Sequence, residues 1–227
     1  MKSKLDILNE RIGKAALAAG REPKSVRLVG VSKTKPPEAV REAIAAGITI
    51  IGESYVQEAR DKFRALSGLP VSWHFIGHLQ TNKVKYVISM FDLIHSVDSL
   101  KLAIEINKQA GKIDKIQNIL IQVNIAEEIS KSGTTIKDTR ALVEGIAQLD
   151  HVRLQGLMTL PPFFDDPDKA SPYFKALRLL RDEIREIGIP NVSLNELSMG
   201  MTGDFEAAIA QGATLIRIGT ALFGERN

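Results

Sequence analysis

Cysteine is absent from the 227 residues of the chain, which excludes disulfide bonds, thiolate metal sites and cysteine nucleophiles and fits a reducing compartment. Aromatic residues make up only 5% of the sequence, and the 30 basic residues are interleaved with 27 acidic ones rather than gathered in a run. The stacking platforms and basic stripes that bind nucleic acids are therefore not visible. Nucleic acid is not an expected partner.

Long apolar runs are also missing. The longest, around residues 44–51, is far shorter than the roughly 20 residues that a membrane span needs. The N-terminus carries acidic residues where a signal peptide would be apolar, so a cytoplasmic protein without a membrane partner is expected. With 44% hydrophobic and 25% charged residues and a net charge of +3, the composition is that of an ordinary globular domain.

Eight β-branched runs alternate with helix-like stretches, which predicts βαβ crossovers and a parallel sheet. The first run is 26–33, and the eighth, 214–223, nearly ends the chain. An open doubly wound sheet usually has about five or six strands, so eight units in this length predict an α/β fold with a single (β/α)8 TIM barrel over 1–227. Apolar residues at helical spacing predict an extra amphipathic helix in residues 1–20.

Lys33 and Lys35 follow the first predicted strand. On an extended segment Lys33 shares a side with Val29 and Val31, which should face the barrel interior, so Lys33 should lie at the barrel mouth. One interpretation is a solvated pair of lysines. The other is a Schiff-base lysine, whose neutral amine would be favoured by partial burial and by the neighbouring cation of Lys35.

Arg217 lies on the eighth predicted strand, on the same side as Leu215 and Gly219. An arginine that points into a barrel must meet an acceptor, because its charge is effectively permanent and costly to bury unpaired. The sequence leaves two kinds of partner open. One is a carboxylate such as Glu196 or Glu53, and the other is an acceptor atom of a ligand.

Two glycine-containing turns follow the seventh and eighth predicted strands. In a TIM barrel these two loops form the standard phosphate site, where backbone N–H groups and a helix N-terminus can face an anion. Hydroxyl side chains add further donors. The candidate residues are Ser198, Gly200 and Thr202 in the first turn and Gly219 and Thr220 in the second.

No metal site is expected. His74 and His78 are four residues apart, but they should lie on a strand and the following loop rather than on one helix. His95 is interpreted as a barrel histidine with satisfied hydrogen bonds rather than as a base. No phosphate-binding P-loop, nucleophile elbow or dinucleotide fingerprint is present in the sequence.

Eight short segments occur together and in order over nearly the whole chain. They include Val-Ser-Lys-Thr-Lys-Pro at 31–36 and Arg-Ile-Gly-Thr-Ala-Leu-Phe-Gly at 217–224. In this combination the chain resembles the pyridoxal phosphate homeostasis family (YggS/PROSC). The other segments that carry the resemblance are 51–58, 73–83, 95–98, 122–125, 156–158 and 197–202.

The resemblance implies a barrel like the N-terminal domain of alanine racemase, with pyridoxal 5'-phosphate (PLP) bound to Lys33 as a Schiff base. It also implies that Arg217 faces the pyridine nitrogen. Lys131 matches a lysine that receives or relays the cofactor, and Ser54 stands where the family more often has asparagine. The other implied cofactor-binding residues are Ser198, Gly200, Thr202, Gly219 and Thr220 around the phosphate, together with Met158 and Lys35.

The implied site has the residues needed to bind PLP but lacks residues needed for catalysis. Arginine keeps its proton, so the ring nitrogen facing Arg217 should stay unprotonated, which weakens the ring as an electron sink. An alanine racemase takes a tyrosine base from a second domain, whereas Tyr55, Tyr86 and Tyr173 here fall in helical stretches.

We therefore expect a monomeric, non-enzymatic protein that holds PLP as a lysine aldimine and delivers it to PLP-dependent apo-enzymes. The alternative within PLP chemistry is a single-domain amino-acid racemase that uses Lys33 as one of its bases. A cofactor-free Schiff-base aldolase is a further alternative, although its lysine usually comes from a later strand than Lys33.

Overall fold

Eight parallel strands close into a barrel in the computed structural model, which describes residues 1–128 and 131–225. The strands pair in sequence order, and the eighth returns to pair with the first. The predicted TIM barrel is thus confirmed. One domain over 1–227 stays a prediction, and its residues 129, 130, 226 and 227 lie outside the described part. The strands are Arg27–Val31 (β1), Ile50–Glu53 (β2), Ser72–Phe75 (β3), Leu93–Val97 (β4), Gln117–Gln122 (β5), Val152–Met158 (β6), Val192–Ser198 (β7) and Leu215–Ile218 (β8).

Helices cover the outside of the barrel. The extra N-terminal helix is present as α1, which packs against α8 and α9. Short 3-10 helices at Pro23–Ser25, Thr81–Lys83 and Pro167–Ala170 complete the connections. The helices are Lys2–Ala18 (α1), Pro37–Ala46 (α2), Val56–Ala65 (α3), Val84–Val87 (α4), Leu100–Gly111 (α5), Ile136–Ile146 (α6), Ser171–Glu186 (α7), Phe205–Ala210 (α8) and Thr220–Phe223 (α9).

Local sequence sets where the helices begin and end. α2 begins at Pro37, whose fixed backbone angle suits a first helical position, and stops at Gly47 in the left-handed conformation (φ 117°). α5 begins after Ser99, whose hydroxyl accepts a hydrogen bond from the backbone N–H of Leu102. Because α2 and α5 begin at defined residues, the βα loops before them, after β1 and β4, have defined ends at the barrel mouth.

The barrel interior has an apolar layer with polar residues above it. The apolar layer is formed by Val29, Ile50, Leu93, Leu120, Met158 and Leu215. Side chains two residues further along a strand point to the same side, one step closer to the mouth. His95 follows Leu93 in this way, and Arg217 follows Leu215. The interior therefore changes from apolar to polar toward the C-terminal ends of the strands, where TIM barrels carry their functional sites.

Candidate functional site

Arg217 is buried inside the barrel, with only 4% of its surface exposed. Its Nη1 donates to the hydroxyl of Ser198 at 2.6 Å, and its Nη2 donates to the backbone carbonyl of Thr159 at 2.9 Å. The two carboxylates considered as partners, Glu196 and Glu53, pair instead with other basic side chains. Of the two kinds of partner that the sequence left open, a carboxylate at either position is therefore not the one observed. Arg217 bonds to neutral acceptors on β7 and just after β6.

A chain of hydrogen bonds continues from Arg217 into the barrel. Ser198 Oγ lies 2.8 Å from Nδ1 of His95, and Nε2 of His95 lies 2.9 Å from Nδ1 of His74. A guanidinium only donates, so Ser198 Oγ accepts from Arg217, and within the described residues His95 Nδ1 is the one acceptor within reach of the buried serine hydrogen. We therefore assign the Ser198 hydroxyl as the donor to His95 Nδ1. This assignment places the hydrogen of His95 on Nε2, from which it donates to His74.

The pKa values agree with this direction. Burial lowers the pKa of Arg217 from 12.5 to about 10, which still leaves the guanidinium protonated at neutral pH. Burial lowers the pKa of His74 from 6.5 to about 4. It lowers the pKa of His95 well below 6.5, assisted by the nearby His74 and Arg217. Both imidazoles are neutral at pH 7, and each can offer the free nitrogen that the chain requires. His95 is a satisfied barrel histidine, as its sequence context suggested.

Two residues implied as cofactor contacts lie deeper than the mouth. Ser198 is fully buried, and its hydroxyl is bonded to both Arg217 and His95, so its role as a phosphate contact stays a prediction. Met158 is also fully buried and belongs to the interior apolar layer with Val29. The two residues are paired across β6 and β7. Ser198 hydrogen-bonds Arg217 from the interior side, and Met158 lies in the apolar layer beneath the site.

The loops after β7 and β8 carry backbone donors that have no acceptor. Within the described ranges, the N–H groups of Thr202, Gly203, Gly219 and Thr220 make no hydrogen bond. Thr202 and Gly219 are half-buried, a setting in which N–H groups are normally paired, whereas Gly203 and Thr220 are exposed and can reach solvent. Unpaired N–H groups gathered in this way suit an anion. Both loops adjoin Arg217, whose own N–H donates to the carbonyl of Gly200 at 2.9 Å.

Gly200 is required by the shape of the β7 loop. Its φ is 92°, and a Cβ built on it would lie 2.6 Å from the Cβ of Ala208. Next in the loop, the N–H of Met201 donates to Asp204 Oδ1 at 2.6 Å. Burial raises the pKa of Asp204, while that hydrogen bond and the charge of Arg217 lower it. The loop is held close to α8, which leaves its later N–H groups facing no acceptor of the described chain.

Lys33 is half-buried and lies just beyond the end of β1. The next residue, Thr34, has a left-handed backbone (φ 65°), and its N–H donates to Glu58 Oε2 at 2.8 Å. Lys35, the cation expected beside Lys33, donates from its Nζ to the backbone carbonyl of Glu225 at 2.6 Å. This bond joins the β1 loop to the C-terminal segment, and the effect of Lys35 on the amine of Lys33 stays a prediction.

A buried ion pair, not foreseen from the sequence, lies under the β1 loop. Lys62 Nζ on α3 donates to Glu53 Oε1 at 2.7 Å and to the backbone carbonyl of Ser32 at 2.6 Å. The hydroxyl of Ser32 also donates to Glu53. Burial raises the pKa of Glu53, and the charge of Lys62 opposes that change. The residue that precedes Lys33 is thus anchored to both β2 and α3.

Ser54 and Lys131 occupy separate parts of the mouth. Ser54 follows β2, and its carbonyl oxygen would lie 2.1 Å from any Cβ on Gly77, so only glycine fits there. Lys131, in the loop after β5, pairs with Glu128 at 2.8 Å. The site residues on β6, β7, β8 and β1 lie on neighbouring strands, and Ser54 after β2 and Lys131 after β5 flank this set on either side.

The described residues contain no group of three or more histidine, aspartate or glutamate side chains that could hold a metal ion. His74 is buried in the interior chain, and His78 is exposed and faces Ser132. None of the helices in the described ranges is both long enough and apolar enough to span a bilayer.

Comparison with known proteins gives consistent matches over most of the chain. Residues 5–227 match the family described as alanine racemase, N-terminal domain. A pyridoxal phosphate homeostasis protein of Aquifex aeolicus (strain VF5) is 50% identical over 218 residues, which cover 96% of this chain and 94% of that protein. The protein of the same name from Pseudomonas aeruginosa is 46% identical over 217 residues, covering 96% and 92% respectively.

Solved structures match the same part of the chain. PipY of Synechococcus elongatus PCC7942 with PLP bound is 38% identical, with a TM-score of 0.83, and the match covers 95% of this chain and 99% of that one. Alanine racemase from Corynebacterium glutamicum is 15% identical, with a TM-score of 0.69, and the match covers 96% of this chain and 60% of the racemase. At that identity the likeness to the racemase concerns the fold alone.

Proposed function

The chain belongs to the family of pyridoxal phosphate homeostasis proteins, and we propose that it is a PLP carrier that holds the cofactor covalently on Lys33 and releases it to apo-enzymes. The family resemblance seen in the motifs is thereby confirmed. The observation that carries the proposal is the pair of loops after β7 and β8. Their N–H groups, unpaired within the described part of the chain, lie beside a buried, permanently protonated Arg217.

The residues present fit PLP at both of its ends. The N–H groups of Thr202, Gly203, Gly219 and Thr220 would hold the phosphate, which is an acceptor-only dianion. Lys33 would supply the amine at the opposite end. Its backbone is set through Ser32 by the buried Glu53–Lys62 pair. The phosphate loops and the lysine lie on β7, β8 and β1, which are neighbours in the barrel.

Bound PLP supplies a reactive aldehyde and, when its ring nitrogen is protonated, an electron sink. Arg217 is protonated at neutral pH and can only donate. A ring nitrogen that accepts a hydrogen bond from Arg217 is not itself protonated, so the ring is a weak electron sink. The chain through Ser198 and His95 keeps the guanidinium in place. This arrangement favours storage of the cofactor over turnover of amino acids.

The buried histidines do not supply a catalytic base. A general base needs an unoccupied lone pair within reach of the substrate proton. Both ring nitrogens of His95 are hydrogen-bonded, and Nδ1 of His74 already accepts from His95. His95 is fully buried, and His74 is 5% exposed. This is the physical ground for proposing a carrier rather than the racemase considered above.

The test of covalent binding is the absorption spectrum of the protein loaded with PLP, followed by borohydride reduction and peptide mass spectrometry. We expect a visible band that disappears on reduction and a pyridoxyl adduct on the peptide that contains Lys33. Lys33→Ala should lose both signals, whereas Lys137→Ala, which alters an exposed lysine on α6, should keep them. An adduct on another lysine, or none, would contradict the proposal.

The test of the carrier role is turnover. Loaded protein is incubated with L-alanine and L-serine, and the enantiomers are separated by chiral chromatography. We expect no conversion at ordinary enzyme rates of roughly 1–1,000 per second. Conversion at such rates, lost in Lys33→Ala, would establish the racemase instead.

A further inference from the structure

A groove on the outside of the barrel, between α3 and the segment 81–87, carries positive charge only. Two cavities of about 530 and 310 Å³ adjoin each other at Arg60 and Tyr86, which line both. No aspartate or glutamate lines either cavity. We call this feature the basic groove. The residues that define it are Arg60, Arg64, Lys83, Lys85, Tyr55 and Tyr86.

The cations of the basic groove have no acidic partner within residues 1–128 and 131–225. Arg60 and Lys85 instead lie over the ring of Tyr86, with its centre 5.4 Å from the guanidinium carbon of Arg60 and 4.9 Å from Nζ of Lys85. Arg60 and Arg64 are also four residues apart on α3, a spacing at which like charges destabilise a helix. Exposed basic residues on other helices behave differently. Lys2, Lys14 and Arg140 each pair with an acid four residues away.

The shape of the basic groove suits an extended anion. It follows α3 from Val56 to Arg64, roughly 12 Å at the rise of an α-helix. Arg60 and Arg64 form one wall, and Lys83 and Lys85 belong to the other. A compact phosphate could reach one or two of these cations, whereas an extended acidic segment could meet all four. Exposed tyrosines between the walls are typical of protein interfaces, where they offer apolar area and a polar edge.

One end of the basic groove reaches the barrel mouth. Ser54, which follows β2, lines the first cavity, and β2 pairs with β1, the strand that leads to Lys33. A partner seated in the groove would therefore lie beside the place where cofactor enters and leaves. Resting on the function proposed above, we propose that the basic groove docks an acidic segment of the protein that receives PLP from this chain.

The direct test uses a fluorescein-labelled decaglutamate peptide as the probe, with binding followed by fluorescence anisotropy at two salt concentrations. Wild type should bind the peptide, and more salt should weaken the binding. Arg60→Glu/Lys83→Glu should weaken it at least about tenfold. The matched control is Lys175→Glu/Arg185→Glu on α7, which makes the same change in net charge at two exposed residues and should stay within about twofold of wild type.

Other outcomes would overturn the docking site. They are no binding of decaglutamate to wild type, or equal losses in the groove and control variants. Binding of sodium pyrophosphate that is lost in the groove variant, without binding of decaglutamate, would identify a small-anion site instead. Cofactor loading separates this proposal from the previous one. If the basic groove alone is misassigned, every variant still shows the PLP band and none converts amino acids. If the proposed function is wrong, wild type itself either lacks the band or converts amino acids at ordinary enzyme rates.

The functional consequence is measured with an acidic PLP-dependent transaminase from which the cofactor has been removed. Loaded wild type, groove variant and control variant are mixed with this apo-transaminase, and the recovery of its activity is timed. The groove variant should transfer cofactor on the order of tenfold more slowly at low salt, with the difference shrinking as salt is raised. Equal transfer rates for the groove and control variants would contradict the proposal.

Discussion

A single hydroxyl decides how the buried arginine is held. Ser198 Oγ accepts from Arg217 and donates to His95, so it joins a charged group to a neutral one inside the barrel. Alanine at this position would leave one guanidinium N–H and one imidazole nitrogen without a partner in a buried place. The arginine would then be free to turn toward other acceptors.

We expect Ser198→Ala to lower the free energy of unfolding by about 1–3 kcal/mol, the cost of leaving buried polar groups unpaired. It should also shift the absorption band of the bound cofactor, because Arg217, which we propose faces the ring nitrogen, is no longer fixed. Urea unfolding and absorption spectra measure the two effects.

Ser198→Thr keeps the hydroxyl and should restore the spectrum even if packing costs some stability. A purely structural role for the serine would predict equal spectra for wild type, alanine and threonine variants.

At the scale of one element, the conformation of the loop after β7 requires glycine at position 200 but not at position 203. Gly200 has a positive φ and no room for a Cβ. Gly203 in the same loop has no positive φ, and a Cβ added to it would meet nothing within 4 Å. Gly200→Ala should destabilise the fold by on the order of 1–3 kcal/mol and weaken PLP binding, because two of the four N–H groups proposed to hold the phosphate, those of Thr202 and Gly203, lie in this loop.

Gly203→Ala is the matched control and should change unfolding by no more than about 1 kcal/mol. Urea unfolding gives the stability, and titration with PLP gives the affinity. Similar losses for the two alanine variants would mean that the loop geometry does not form the phosphate site.

The elements could be predicted from the sequence to the extent that each is determined locally. Alternating β-branched runs and helix-like stretches predict eight strands. The two-residue period of a strand and the 3.6-residue period of a helix can be read from the sequence without knowing which elements pack together. Boundaries are less determined. The eighth predicted run, 214–223, contains both β8 and α9, because the chain turns at Gly219 within a continuous apolar stretch.

The candidate site likewise has some residues that could be predicted from the sequence and others that could not. Lys33 and Arg217 could be placed from strand alternation, and the two glycine loops from their positions after β7 and β8. The Glu53–Lys62 pair and the chain from Ser198 to His74 could not, since their members come from different elements and meet only when the barrel closes. Closure also assigns Ser198 to the arginine rather than to the loop surface.

For the whole molecule, the buried histidine chain makes stability depend on pH. The pKa of His74 is about 4 in the folded protein against 6.5 ordinarily. Between these values the unfolded chain binds a proton that the folded chain does not, so the stability present above pH 6.5 is lost as the pH falls toward 4. Protonation would also put a hydrogen on His74 Nδ1, which accepts from His95.

Urea unfolding at pH 7.5 and pH 5.0 tests this linkage. Protonation of one such histidine in the unfolded state, but not in the folded state, should lower the free energy of unfolding by about 2 kcal/mol between pH 7.5 and pH 5.0. His74→Gln retains one acceptor and one donor but does not titrate, so its stability should fall by about 2 kcal/mol less than that of wild type. Titrating carboxylates change the stability of wild type and of His74→Gln by the same amount, so their effect cancels when the two losses are compared. If wild type and His74→Gln lose the same stability, His74 is not held neutral by the barrel.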